Sequence, residues 1–93
     1  MNAPATFHIT LDRFPMRQKA IIASIKWDHM SDNEARRLRA LGLDTGAVVE
    51  KLHKGMFGMN DPIALQVGRM MVAIRKVHAE AISITPLAAA SGE

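Results

Sequence analysis

Four histidines are the side chains of this sequence best suited to bind a transition metal. They are His8, His29, His53 and His78, and no two of them stand at i, i+4 or His-x-His spacing. Those spacings, or a Glu-x-x-His motif on a helix, place two ligands on one metal ion. Neither pattern occurs on a predicted helix, so we predict no designed metal site. His29, His53 and His78 remain as weak candidates, and we expect any metal to bind adventitiously.

Three arginines, Arg36, Arg37 and Arg39, form a small basic cluster. We interpret them as the solvated face of a helix, because three charges steer a partner only modestly at physiological salt. The alternative is a docking patch for an acidic partner or for phospholipid headgroups. The same residues are therefore candidates for partner binding.

A loop rich in methionine and glycine spans residues 55–62 and carries Met56, Phe57 and Met59. These side chains either fold over the core as a lid or form an exposed partner site, since methionine and phenylalanine adapt well to varied surfaces. The other methionines are predicted to fill the core. Met70 and Met71 point to opposite faces of a strand, and thioethers suit copper(I) rather than ferrous iron.

Catalytic chemistry has little support in this sequence. It has no cysteine, no Gly-x-Ser-x-Gly motif, no phosphate-cradling loop and no paired carboxylates, so we predict that the protein is not an enzyme. The 93 residues suffice for one small domain, and a formal charge of +3 with 4% aromatic residues argues against a nucleic-acid binder. No apolar run reaches membrane-spanning length and no signal peptide is evident, so a cytoplasmic protein without membrane insertion is expected.

The elements that must position these residues are short. Residues 1–10 and 87–93 read as loose ends around one domain at 11–86, and residues 11–15 read as a turn that buries Leu11 and Phe14. A helix is predicted after Ser31, with Glu34 at capping-box spacing. One helical turn is expected at 76–80. Strands are predicted at Lys19–Trp27, Ala47–Lys54, Ile63–Val67, Met70–Arg75 and Ile82–Thr85.

Two glycines mark where the chain must turn. Gly42 follows the last apolar residues at helical spacing, so it is predicted to end the helix with a positive φ and to let Leu43 pack back on the last turn. Gly68 and Arg69 are predicted to close a two-residue hairpin.

Five short strands in so few residues favour a closed sheet, because closure removes exposed edges. We predict a mainly β fold, a small five-stranded SH3-like barrel with one short α-helix between strands one and two. An OB-like barrel is the alternative, but its usual helix lies between strands three and four.

The segment from Arg37 to Gly46, followed by Val48-Val49-Glu50, resembles the signature of the ferrous iron transport protein A (FeoA) family. That family reads R-L-x-x-L-G-L-x-x-G before a valine-rich strand. Three later segments are similar to the family's Gly-Asp-Pro loop, fourth strand and closing strand; they are Asp61-Pro62-Ile63, 68–76 and 79–84. Together the matches cover about Lys19 to Thr85. The sequence departs from the family where glycines are usual, at 17–19, at Ala23 and at Asn60.

The resemblance implies a cytoplasmic SH3-like domain whose partner is the cytosolic part of the membrane GTPase-containing ferrous iron transporter, FeoB. A small accessory protein that binds and modulates this transporter is the function we expect. The same domain type ends iron-dependent repressors, but the chain lacks a DNA-binding helical domain, so we expect no repressor role. A nucleic-acid-binding barrel and a transition-metal-binding regulatory domain are the alternatives. Zinc or Fe(II) would be adventitious, and the chain would be a monomer or a weak homodimer.

Overall fold

The described part of the chain forms one antiparallel sheet with two short α-helices. The computed structural model describes residues 9–54 and 62–87, with the side chains of His53 and Lys54 excepted. The strands are β1 (Ile9–Thr10), β2 (Lys19–Ile25), β3 (Val48–Lys54), β4 (Ile63–Val67), β5 (Met70–Ile74) and β6 (Ile82–Pro86). Their order in the sheet is β1-β6-β2-β3-β4-β5. The helices are α1 (Asp32–Ala40) and α2 (Lys76–Ala79).

The predicted mainly β class and SH3-like arrangement are confirmed, with α1 in the connection between the first two long strands. The number of strands differs from the prediction. Ile9 and Thr10, expected at the end of a loose segment, pair with Ile84 and Ser83 of β6 and form a sixth strand. Ile9 also packs against the core, and two residues are too few for a periodic pattern to reveal them.

The first long strand is shorter than predicted. It ends at Ile25, and Trp27–His29 form a single 3₁₀ turn instead of continuing the strand. In this turn the backbone N–H of Met30 donates to the carbonyl of Trp27, 3.1 Å away. The turn places Trp27 beside α1, where its ring contacts a helix side chain.

The core lies on one face of the sheet, under α1 and the 3₁₀ turn at Leu11–Arg13. Alternate residues of β4 and β6 are buried, as period-two patterning requires. Leu11 and Phe14 are buried as predicted, and Leu38 is the buried residue of α1. No helix in 9–54 or 62–87 has both the length and the apolar character needed to span a bilayer.

The end of α1 has the geometry that Gly42 predicts. Gly42 has φ +97°, its N–H donates to the Arg39 carbonyl at 3.0 Å, and the Leu43 N–H donates to the Leu38 carbonyl at 2.9 Å. This pair of bonds is a Schellman motif, which satisfies carbonyls that the helix would otherwise leave unpaired. Leu43 is completely buried, so the cap also closes the core.

The β4–β5 hairpin turns at Gly68 and Arg69, as predicted. Gly68 has φ +61°, and Arg69 is not among the residues with positive φ. A positive φ at only the first turn position is typical of a type II′ hairpin, whose backbone twist matches that of the flanking strands. The turn therefore fixes the register in which Val67 faces Met70.

Two of the positions where the sequence departs from the FeoA pattern carry unusual backbone geometry. Arg17 has φ +67°, a left-handed conformation that a non-glycine residue adopts at a cost of about 1 kcal/mol. Its N–H donates to the Lys51 carbonyl at 2.7 Å, which holds the turn in place. Ala23 lies where the β2–β6 register shifts, at a β-bulge. Glycine would relieve the backbone at Arg17.

Lys51 is the one buried charged residue in the described part of the chain, with 2% of its surface exposed. Its Nζ donates to the carbonyl oxygens of Leu11 and Asp12, at 3.1 and 2.9 Å. The lysine thus ties β3 to the 3₁₀ turn that precedes β2. It shares the inward face of β3 with Val49, so the alternation of the strand is kept.

Candidate functional site

The three arginines of α1 do not form one uniform patch. Arg37 donates to both carboxylate oxygens of Glu34, at 3.2 and 2.9 Å, and to the carbonyl of Ala73 in β5 at 3.3 Å. The Arg39 guanidinium lies 4.3 Å from the centre of the Trp27 ring, a cation–π distance. Arg36 is exposed. Arg37 therefore joins the helix to the sheet, and Arg36 and Arg39 share a solvent-facing side at i, i+3 spacing.

Glu34 links the start of α1 to two other elements. Its backbone N–H donates to the Ser31 hydroxyl at 3.1 Å, which confirms the predicted N-cap. Its carboxylate, expected to complete a capping box, binds Arg37 instead and lies 3.2 Å from Nδ1 of His78 in α2. The hydrogen bond from Arg37 lowers the pKa of Glu34 and raises that of Arg37. The outcome is a network that connects α1, α2 and β5.

His78 is the histidine that the structure brings to a charged partner. The ring nitrogen lies within ion-pair distance of Glu34, yet its geometry is too poor for a hydrogen bond. The contact places α2 beside the first turn of α1. The pairing of His78 with Glu34 was not predicted from the sequence, because 44 positions separate the two residues and no local spacing indicates the contact.

Neutralising Glu34 should cost a modest amount of stability with a defined pH dependence. A carboxyl whose pKa is lowered in the folded state contributes stability above its ordinary value of 4.5, and that contribution disappears as pH falls through the lowered folded value. Because Arg37 is partly exposed, we expect Glu34→Gln to lose about 0.5–1 kcal/mol at pH 7. Urea unfolding at pH 7 and pH 3 measures this loss in the free energy of unfolding. Asp32→Asn, at an exposed position of the same helix, is the control. An equal loss at both pH values would contradict this assignment.

Of the three remaining histidines, the structure describes the side chain of His29 alone. His29 is exposed in the 3₁₀ turn, the side chain of His53 is not described, and His8 lies outside the described residues. In residues 9–54 and 62–87, no group of three or more histidine, aspartate or glutamate side chains could hold a metal ion. Adventitious binding of zinc or Fe(II) stays a prediction.

The predicted core role of the methionines is wrong for three of them. Met16, Met70 and Met71 are 41%, 45% and 62% exposed, whereas Met30 packs against the core. Met70 is on the same face of β5 as the buried Val72, but it lies at the end of the strand beside the hairpin turn and is therefore exposed. The loop with Met56, Phe57 and Met59 lies outside the described residues, so its two interpretations stay predictions.

A shallow groove of about 400 Å³ crosses the outer face of the sheet. Val48, 42% exposed, lies in it, and Lys19 faces Glu50 across the β2–β3 pair. The groove is lined by Lys19, Val48, Val49, Glu50, Gln66 and Gly68. Sequence analysis did not identify it, although the alternation of β3 places Val48 and Glu50 on the face opposite Val49.

Comparison with known proteins identifies the domain type. The family model described as FeoA domain matches residues 9–86. The structure of a Stenotrophomonas maltophilia FeoA in complex with zinc is 34% identical, with a TM-score of 0.68, over 82% of this chain and 88% of that one. Its description calls it an SH3 domain protein and a candidate activating factor of ferrous iron transport. A Chlorobium tepidum FeoA protein is 26% identical, with a TM-score of 0.73, over 85% of this chain and 70% of that one.

The same fold occurs within a longer chain. The T. acidophilum IdeR structure is 19% identical, with a TM-score of 0.72, and the match covers 91% of this chain but only 37% of that one. At this identity the likeness concerns the fold alone. A search of curated proteins found no match.

Proposed function

The chain belongs to the FeoA family, a family of small domains linked to ferrous iron transport, and we propose that it binds and modulates the cytosolic part of the ferrous iron transporter FeoB. The observation that carries the proposal is the extent of the family match, which spans residues 9–86 of 93. Most of these 93 residues therefore belong to this domain. An accessory role, exerted by binding in the cytoplasm rather than by catalysis, is the function that such a domain supports best.

The solvent-facing side of α1 is the surface that we assign to this partner. Arg36 and Arg39 are exposed and one helical turn apart, and Trp27 holds the Arg39 guanidinium in place by its ring. A guanidinium already ordered by an aromatic ring loses less freedom when it binds a carboxylate. Arg37 contributes by fixing α1 against β5. Met56, Phe57 and Met59, outside the described residues, are further candidates from the sequence for contact with the same partner.

Charge reversal on this face tests the proposal. In a pull-down with detergent-solubilised transporter, we expect Arg36→Glu combined with Arg39→Glu to reduce capture about tenfold, because like charges then replace opposite ones across the interface. The matched control reverses Arg13 and Lys26, two exposed cations outside both proposed binding surfaces, and should capture as the parent does. Parent-like capture by the Arg36/Arg39 variant would remove this face from the site. No capture by the parent chain would contradict the proposed function itself.

A further inference from the structure

The β5 strand leaves one edge of the sheet without a neighbouring strand in the part of the chain that is described. The sheet order ends at β5, which pairs only with β4. A two-residue turn makes Val67 and Met70 a hydrogen-bonded pair, and such pairs then alternate along the hairpin. The backbone groups of Val72 and Ile74 therefore face β4. Those of Met71 and Ala73 face away from it.

A side-chain contact supports this assignment of the outward groups. The Ala73 carbonyl accepts a hydrogen bond from Nη2 of Arg37, which reaches it from α1 rather than from the sheet. The outward edge then offers three further groups, the N–H and carbonyl of Met71 and the N–H of Ala73. Two of them, on Met71, are the pair that an added antiparallel strand would use first.

The side chains of β5 do not protect this edge. Natural sheets block their edges with proline, lysine, bulges or very short strands, and the other end of this sheet, β1, has only two residues. β5 has five residues with no proline and no charge, and its pairing with β4 shows no register shift. Met71 is 62% exposed and Ala73 is exposed beside it. Within residues 9–54 and 62–87, the edge is thus open to an extended segment with apolar side chains.

Charge around the edge limits what such a segment can be. Arg69 precedes β5 and Arg75 follows it, both exposed, and neither β4 nor β5 contains an acidic residue. A second copy of this chain would bring no acidic residue of β4 or β5 to Arg69 or Arg75, and in the antiparallel register that pairs Met71 with Ala73 it would place Arg69 directly opposite Arg75 of the other copy. Like charges directly opposite each other destabilise a strand pair. A segment with acidic ends would instead meet both arginines favourably.

We propose that the outer edge of β5 is a docking strand, which adds to its sheet an extended partner segment with alternating apolar residues and acidic ends. Backbone hydrogen bonds to Met71 and Ala73 would provide affinity, and Arg69 and Arg75 would select the acidic ends. This chemistry depends only on β5 and its surroundings. That the transporter supplies the segment rests on the proposed function.

Nuclear magnetic resonance of the full ¹⁵N-labelled chain tests the edge first. The amides of Met71 and Ala73 should exchange with solvent at least about 100-fold faster than that of Val72, which is paired with β4. Slow exchange at Met71 and Ala73 in the free chain would show that another segment of the chain already covers the edge, and would overturn the proposal.

A synthetic peptide then tests the partner chemistry without any transporter. The probe is a nonapeptide with a Val-Thr-Val-Thr-Val centre and two glutamates at each end; the control has lysines in place of the glutamates. Glutamate-ended peptide should slow exchange at Met71 and bind at least about tenfold more tightly than the control. Equal affinity for both peptides, or no binding at millimolar concentration, would contradict the proposal. The transporter pull-down is independent of either result.

Two variants separate strand addition from non-specific attraction. Met71→Pro removes the outward N–H without breaking a bond to β4 and should weaken peptide binding about five- to tenfold, whereas Met71→Thr should bind like the parent. Arg69→Glu, which leaves the backbone of the strand and Arg75 in place, should remove most of the preference for the glutamate-ended peptide. Unchanged preference in Arg69→Glu would overturn the charge assignment. Self-association that Met71→Pro abolishes would make a second copy the occupant instead.

Discussion

Replacing Lys51 with alanine is expected to lower the free energy of unfolding by about 2–4 kcal/mol. The ammonium group donates to the carbonyls of Leu11 and Asp12 inside the protein, and its stem fills the space beneath them. The Leu11 carbonyl keeps the N–H of Phe14 as a partner, 3.2 Å away, whereas the Asp12 carbonyl loses its ammonium donor. Urea unfolding with a fitted m-value measures the change.

Lys51→Met separates the two causes. Methionine keeps most of the packing but removes the charge and the donors, so its loss should be smaller than that of alanine, about 1–2 kcal/mol. Lys26→Ala, at an exposed position, is the matched control and should lie within about 0.5 kcal/mol of the parent. If Lys51→Ala is as stable as Lys26→Ala, the lysine does not hold the 3₁₀ turn to β3.

Replacing Gly42 with valine is expected to cost about 2 kcal/mol, because a β-branched residue is strained at φ +97°. Space is not the cause: an added Cβ would meet Val67 Cγ1 at 3.6 Å, an ordinary contact distance. The strain would weaken the Schellman bonds from Gly42 and Leu43 and loosen the connection from α1 to β3.

Gly42→Asn is the matched comparison at the same site. Asparagine tolerates positive φ better than any other side chain of its size, so we expect a loss of less than about 1 kcal/mol. Thermal or urea unfolding of both variants gives the difference. A valine variant no less stable than the asparagine variant would show that this backbone conformation carries no cost.

The elements that the sequence predicts best are those with local rules. Gly42 and Gly68 adopt positive φ, and the Ser31 hydroxyl oxygen accepts a hydrogen bond from the first turn of α1. Short-range chemistry therefore decides the conformation at each of these positions. What escaped prediction depends on distant parts of the chain. The two-residue β1 forms because it pairs with β6. Lys51 is buried because two carbonyl oxygens, 39 and 40 positions away in the sequence, accept hydrogen bonds from its ammonium group.

The candidate site shows the same division. The spacing of Arg36, Arg37 and Arg39 indicates a basic helix face, but only the fold shows that Arg37 turns to β5 and that Arg39 lies over Trp27. Met70 and Met71 read as core residues because methionine is usually buried in a strand. They are exposed because β5 is the last strand of the described sheet and its end lies at a turn.

Calorimetric titration of this chain into the isolated cytosolic domain of the ferrous iron transporter tests the central claim most directly. It should be performed with the domain free of nucleotide, bound to GDP and bound to a non-hydrolysable GTP analogue. We expect saturable binding with a Kd of about 30 μM or tighter, near −6 kcal/mol, in at least one of these states. No heat of binding at about 100 μM chain in all three states, with the folded chain confirmed, would contradict the claim.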